Sequence, residues 1–479
     1  MLCDYLSNLA NTQNPDKAHK KYALFGCIEL KNSVRAVWAE HTRMGIEQLQ
    51  MQLRPKIFQL MFVFDEQCSQ FVCDAVDIIA KLDFPERWDT LMTDTVNMMR
   101  DDNHRHNYLC WSLIEANTKK YVWLERSDEL FSEIIKVINE LHGKLMYYTQ
   151  GYLNQLCKIF WLKKLLFWWF PFLFCTKNLF LARNDNQGDP NLGIYLKIYK
   201  KLLQVFRHFS SQDLHPYIED NLSAWLGILK GTLGAHPGGL TGNVMKIAGD
   251  GLEGLWFKCK GEAINCILLY STKYQDDIME MLQPFANEIW GVCQQNASGN
   301  TKILVNSLKY FRTFAQNEKF SGFFEQNMFE FFTKLLLPNF QPTEDAFDAF
   351  ENEADSYVEA LYDNVEICKR SEMAAGFLRT LSRYHNEKVQ AIIFQVIGDY
   401  YNNEKSKGIT NPTTEIVVLK LVFYSLVTGY RKVTGTSEIT MSQEIITATY
   451  TNIVQPTLAS VFNTIEQDPL GTYANVHQI

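Results

Sequence analysis

His104 and His106, in the stretch DDNHRHNY, come nearest to a metal-binding pattern in this chain. Imidazole nitrogens suit zinc or copper, but a site needs three or four ligands converging on one point. An i, i+2 spacing turns two helical side chains onto different faces, and no cysteine or histidine cluster completes a tetrahedral set. GAHPGGLTGN, residues 234–243, carries the glycines of a phosphate cradle. It lacks the Gly-Lys-Ser/Thr that reaches a nucleotide and no strand leads into it, so residues 232–243 read as a Gly/Pro loop. Gly-x-Ser-x-Gly, His-Glu-x-x-His and the kinase signatures are absent. The chain is therefore expected not to be an enzyme and to hold neither metal nor cofactor.

The elements that would carry a binding surface are helices. With 479 residues the chain is too long for one compact core, and 47% hydrophobic and 21% charged residues describe a folded protein. A net charge of −8 argues against nucleic acid as the main partner, since phosphate binding needs a concentrated basic surface. Eleven cysteines without a CxxC pair or a small-domain disulfide spacing point to reduced thiols, as in cytosol or nucleus. There, the Asn-Ala-Ser at 296–298 has no meaning as a glycosylation acceptor. The N-terminal stretch lacks the apolar core of a secretory signal.

DELFSEIIKVINELHGKLMYY places Leu130, Ile134, Ile135, Ile138 and Leu141 on one helical stripe. Glycine and proline fall between helical stretches. YIEDNLSAWLGIL, MLQPFANEIWGVC and FFEQNMFEFFTKLL superpose, so that Ile218, Leu282 and Phe324 coincide. So do Trp225, Ile289 and Phe331, and likewise Leu226, Trp290 and Phe332. The offsets are 64 and 42 residues. The shorter is one helical-hairpin repeat, the longer a repeat with an insertion, and such hairpins bury their second face only by stacking. The expected fold class is all-α: a right-handed α-solenoid of HEAT-like helical hairpins.

Further along, nine acids lie between Glu344 and Glu366 with no basic residue before Lys369. Glu344, Asp345, Asp348, Glu351, Glu353, Asp355 and Glu359 would make either a solvated face or a docking strip for a basic partner.

Two motifs near the N-terminus carry a resemblance. YALFGCIELKNSVRAVW has Leu30, Lys31 and Asn32, with Trp38 six residues after the Asn; DAVDIIAKLDFPERWDTLM has Asp83, Phe84, Pro85 and Trp88. In that order and spacing they resemble the N-terminal signature of the importin-β superfamily of nuclear transport receptors. The downstream repeats and the acidic run after Leu337-Pro338-Asn339, with Phe347, Phe350 and Tyr357, are similar to its exportin-2 branch. The resemblance implies a receptor that binds Ran-GTP, carries importin-α out of the nucleus, meets nuclear pore proteins in transit and moves between nucleus and cytoplasm. GTP would belong to Ran. An importer, another exportin, or a HEAT scaffold indifferent to Ran is the alternative.

Ran would sit near Lys31, Asn32, Arg35, Trp38, Asp83, Phe84, Pro85, Arg87 and Trp88. Of these the aromatics read as core, and polar neighbours such as Lys31 and Arg35 as contacts. The chain departs from the family in three ways. Its Lys-Asn signature arrives too early for a complete first repeat. After the acidic run only Lys369 and Arg370 stand where familiar members are arginine-rich. Family members also continue well past this length, so the solenoid reads as truncated.

The implied organisation is Ran-signature repeats over 1–100, HEAT repeats over 101–340, an acidic insertion over 341–370 and further repeats over 371–479. One segment has no counterpart in it. Between Lys164 and Lys177 lie twelve residues interrupted by Pro171, too few to cross a bilayer. For 159–182, three readings stay open: translated non-coding sequence, a buried helix, or contact with a membrane surface.

Overall fold

Cysteine and aliphatic side chains at Cys68, Val72, Cys73, Val76, Ile79 and Ala80 recur at helical spacing in α4, Glu66–Asp83, and all are buried. Asp65 caps this helix, its carboxylate accepting the Cys68 N–H at 3.0 Å. The same logic repeats along the computed structural model. It describes residues 2–10, 17–43, 46–168, 191–235, 252–295, 301–341, 366–406 and 412–427, with scattered positions between 447 and 462. Among these residues there is no strand. The chain is all-α and divides into two compact units, Met1–Cys266 and Ile267–Ile479.

The first unit is a two-layer stack. Its helices are α1 (Leu2–Ala10), α2 (Lys17–Arg43), α3 (Glu47–Leu60), α4, α5 (Leu91–Asn97), α6 (His104–Thr118), α7 (Asp128–Trp168), α8 (Leu192–Phe209), α9 (Pro216–Asp220) and α10 (Leu222–Gly234). The start of α11 (Leu252–Lys273) completes it. One layer runs α2, α4, α6, α8, each packed on the next; in the other, α1 meets α3 and α5 meets α7. α1 with α2, α3 with α4, α5 with α6 and α7 with α8 close as hairpins. Each hairpin thus buries its second face on its neighbours, as HEAT-like repeats must.

α8 shows how a layer is tied. Tyr195, Ile198, Leu202, Val205 and Phe206 are buried on it. Lys201 Nζ pairs with Glu115 of α6 at 2.6 Å, and Cys259 and Cys266 of α11 donate to the Leu196 and Leu203 carbonyls at 3.4 and 3.5 Å. Trp225 of α10 stacks on Phe206 with centroids 3.9 Å apart. Full burial of such side chains contributes about 1.5–3 kcal/mol each.

The second unit holds the rest of α11, then α12 (Met279–Gln295), α13 (Thr301–Phe314), α14 (Ser321–Glu330) and α15 (Leu337–Phe340). α16 (Glu366–Tyr384), α17 (Asn386–Ser406) and α18 (Pro412–Val422) follow. α13 packs on α16 and α14 on α17. A π-helical turn, Phe331–Leu336, joins α14 to α15. Around it Phe311, Phe314, Phe323, Phe324, Phe331 and Phe377 form one aromatic cluster, with Phe331 5.1 Å from Phe311, 5.6 Å from Phe324 and 5.6 Å from Phe377. His385 closes it. Its ring lies 5.3 Å from Phe324, and Nε2 donates to the Ala315 carbonyl at 3.2 Å.

The nine superposed repeat positions, Ile218, Leu282, Phe324, Trp225, Ile289, Phe331, Leu226, Trp290 and Phe332, are all buried. On α7 the stripe holds at Leu130, Ile134, Ile138 and Leu141, with Val137 buried and Ile135 half-exposed. Two expectations change. Proline does occur inside helices, Pro55 in α3 and Pro284 in α12, where packing of the surrounding turns outweighs one missing hydrogen bond. Residues 232–234 are not loop: Thr232 and Leu233 are buried and finish α10, with Thr232 bonded to Tyr199 across the hairpins at 2.5 Å.

Several candidates lie outside the described residues: 236–243 of the glycine-rich loop, Asn-Ala-Ser at 296–298, and the acidic Glu344, Asp345, Asp348, Glu351, Glu353, Asp355 and Glu359. Of the 159–182 segment, 159–168 continues α7 as helix and the remainder is outside them. Among the described residues no helix is long and apolar enough to cross a membrane.

Candidate functional site

α4's apolar stripe ends on an acid, and α3's carries a base. Asp83 follows Ile79 and Ala80 on the buried face; Arg54 lies in line with Ile57, Phe58 and Met61. Neither charge could be buried alone, and each is buried because it meets the other. Asp83 Oδ2 accepts from Arg54 Nε at 2.8 Å and from Trp38 Nε1 at 3.0 Å, and Oδ1 accepts from Arg87 Nε at 3.1 Å. The Asp83 carbonyl takes the N–H groups of Arg87 and Trp88 at 2.8 and 2.9 Å. Arg54 also donates to the Arg87 carbonyl at 2.7 Å, and Gln50 to the Trp38 carbonyl at 3.0 Å. The two sequence signatures, 45 residues apart, are therefore one structure: a buried polar clamp joining α2, α3, α4 and the turn after α4.

The aromatics complete the hydrophobic part of that turn. Phe84 and Trp88 are buried, Trp88 edge-on to Phe58 at 6.1 Å. The Phe84–Pro85 bond is cis, Pro85 is half-buried, and Lys120 Nζ lies 5.5 Å from the Phe84 ring centre. Lys31 is turned toward the next helix, paired to Asp74 at 2.6 Å and 5.4 Å from the Phe71 ring. Asn32 and Arg35 are exposed on α2. Of the nine signature residues, then, Trp38, Asp83, Phe84 and Trp88 hold the hairpins together and Arg87 is half-buried in the clamp. Asn32 and Arg35 have side chains open to a partner.

Sequence reasoning missed Arg54, Gln50 and Asp74. The signal for Arg54 was available: a base on the apolar stripe of one helix, and an acid on that of the next.

Burial pushes the Cys68 thiol up to about 11 and Cys73 to about 12, and raises Cys27 further. Such thiols stay protonated and act as small apolar side chains. His104 spans Tyr152 and Tyr195, its ring nitrogens 3.1 and 3.3 Å from their hydroxyls, while His106 packs 5.0 Å from Phe62 and is lowered by burial. Among the described residues no group of three His, Cys, Asp or Glu side chains could hold a metal.

Stacked hairpins pinned by an internal clamp, with polar side chains presented outward, define an α-solenoid of HEAT-like repeats. A family model described as Cse1 matches residues 170–467, and the chain belongs to the Cse1 family. Exportin-2 of Drosophila melanogaster is 24% identical over 438 residues, covering 88% of this chain and 41% of the relative. The importin alpha re-exporter of Saccharomyces cerevisiae is 24% identical over 399 residues, covering 80% of this chain and 38% of the relative. The solved structure of the exportin Cse1 in its cargo-free, cytoplasmic state matches at a TM-score of 0.69 and 19% identity, over 95% of this chain and 46% of that one. The chain spans about two fifths of the length of the curated relatives it matches. Its family match begins at residue 170, so the Trp38–Asp83 clamp lies N-terminal to it.

Proposed function

We propose that this chain is part of a nuclear transport receptor that binds Ran-GTP and re-exports importin-α from nucleus to cytoplasm. The similarity to relatives named exportin-2 and importin alpha re-exporter, extending over four fifths or more of the chain, carries this reading. The N-terminal signature supports the Ran contact, with Asn32 and Arg35 as the exposed side chains that would reach it. Catalysis is no part of this role: GTP is held by Ran, and this chain contributes surface. The acidic 344–359 run would meet basic cargo, since opposite fields speed encounter and fix orientation. Nuclear pore proteins are the transit partners, and nucleus and cytoplasm the two compartments.

The test is a pull-down on Ran locked in its GTP form, with and without importin-α. An exportin gains cargo when Ran-GTP is present, an importer releases it, and a scaffold ignores the nucleotide. Equal retention on the GTP and GDP forms would overturn the proposal. Arg35→Glu should weaken capture about tenfold without changing the unfolding temperature, because the side chain is exposed.

A further inference from the structure

The turn between α6 and α7 presents an apolar tip that no interaction among the described residues accounts for. Trp123 is 78% exposed and Leu124 49%, and among the described residues Trp123 packs against no other ring. The backbone beneath them is locked. Trp123 and Leu124 N–H groups both donate to the Lys120 carbonyl at 3.0 Å. Gln212 Nε2 donates to the carbonyls of Tyr121 and Leu124 at 2.7 and 3.0 Å, and Ser211 Oγ to that of Tyr121 at 3.1 Å. Tyr121 is fully buried with its hydroxyl on Glu133 at 2.8 Å, and Arg126 is tied to Asp213 at 2.7 Å. An indole held out on a rigid turn needs no ordering of the loop before it binds, and buried Trp anchors carry much of the energy of protein interfaces.

Charge selects the partner. Glu125, Asp128 and Glu129 beside the tip are exposed and make no ion pair among the described residues. Of the bases in the same turn Arg126 pairs with Asp213 and Lys120 with Glu133, which leaves Lys119 alone against the three carboxylates. The tip is an apolar centre with an acidic rim. We propose that Trp123 and Leu124 are a docking knob for a protein segment that offers apolar side chains flanked by lysine or arginine. An anionic membrane, which would also take up an exposed indole, is disfavoured by the same three carboxylates. The knob is separate from the Asn32 and Arg35 side chains and stands whether or not Ran is a partner.

The test uses the full chain labelled with 5-fluorotryptophan, the Trp123 signal being the ¹⁹F resonance lost in Trp123→Phe. The probe is an 18-residue amphipathic helical peptide of leucine and lysine, followed by ¹⁹F shift and by fluorescence anisotropy. The peptide should move the Trp123 resonance. Trp123→Ser with Leu124→Ser should weaken binding at least tenfold, and Glu125→Gln with Asp128→Asn and Glu129→Gln should flatten its salt dependence. All five positions are exposed, so an unchanged circular dichroism spectrum accompanies each variant. An unmoved Trp123 resonance, equal affinity in the Ser variant, or a Trp123 shift produced by phosphatidylserine vesicles and not by the peptide would overturn the proposal.

Discussion

The Asp83 clamp of the first unit and the phenylalanine cluster of the second solve the same problem by opposite means. Both tie neighbouring hairpins. The clamp does so with one carboxylate that accepts hydrogen bonds from two arginines and an indole, so each member is needed by the rest. The cluster spreads the task over six rings, several of which touch three or more others. A polar clamp fixes which hairpin meets which, whereas an aromatic cluster supplies area and tolerates repacking.

Asp83→Asn should show the largest effect. It leaves Arg54 buried without its counter-charge, at a loss of about 3–5 kcal/mol in denaturant unfolding of the first unit. Replacing the pair together, Asp83→Leu with Arg54→Met, should recover most of that loss, and a double variant as unstable as the single one would break the contrast.

Next comes His208, another buried polar group of the first unit, whose ring lies 3.0 Å from Thr118 Oγ1. Burial lowers it to about 4 from an ordinary 6.5. The folded state therefore holds it neutral while the unfolded chain takes up a proton. Stability is fully present above about pH 6.5 and falls as pH drops toward 4, on the order of 3 kcal/mol at about 1.4 kcal/mol per unit. His208→Gln should flatten the unfolding temperature against pH over that window, and an unaltered slope would remove the histidine from the account.

Phe331→Leu, inside the cluster, should cost only about 1–1.5 kcal/mol because neighbouring rings can close on the smaller side chain. A loss as large as that of Asp83→Asn would show the cluster to be as unforgiving as the clamp. The smallest effect belongs to Lys31→Ala. Its pair with Asp74 is partly solvated and contributes within about 1 kcal/mol, so thermal melts should barely move.

The helical architecture was legible because the apolar stripes are strong: the nine aligned repeat positions are buried without exception. The second hairpin layer and the order of stacking were not, since periodicity shows that a face is buried without saying against what. The signature residues could be picked out, but their roles divided in a way that types alone do not show. Lys31 reads as a surface base and is committed to Asp74, and Asp83 reads as polar and is fully buried. Arg54 escaped notice because the eye discounts one base in an apolar stripe. Trp123 escaped for the converse reason: a tryptophan is assumed to be inside.

In the first unit's layers each hairpin leans chiefly on the ones before and after it, with the exposed Lys197–Glu66 pair between α8 and α4 the one reach past a neighbour among the described ion pairs. Such a column has no keystone. A nick at one connection would bare a single pair of faces, and the remaining repeats on either side would keep their own supports.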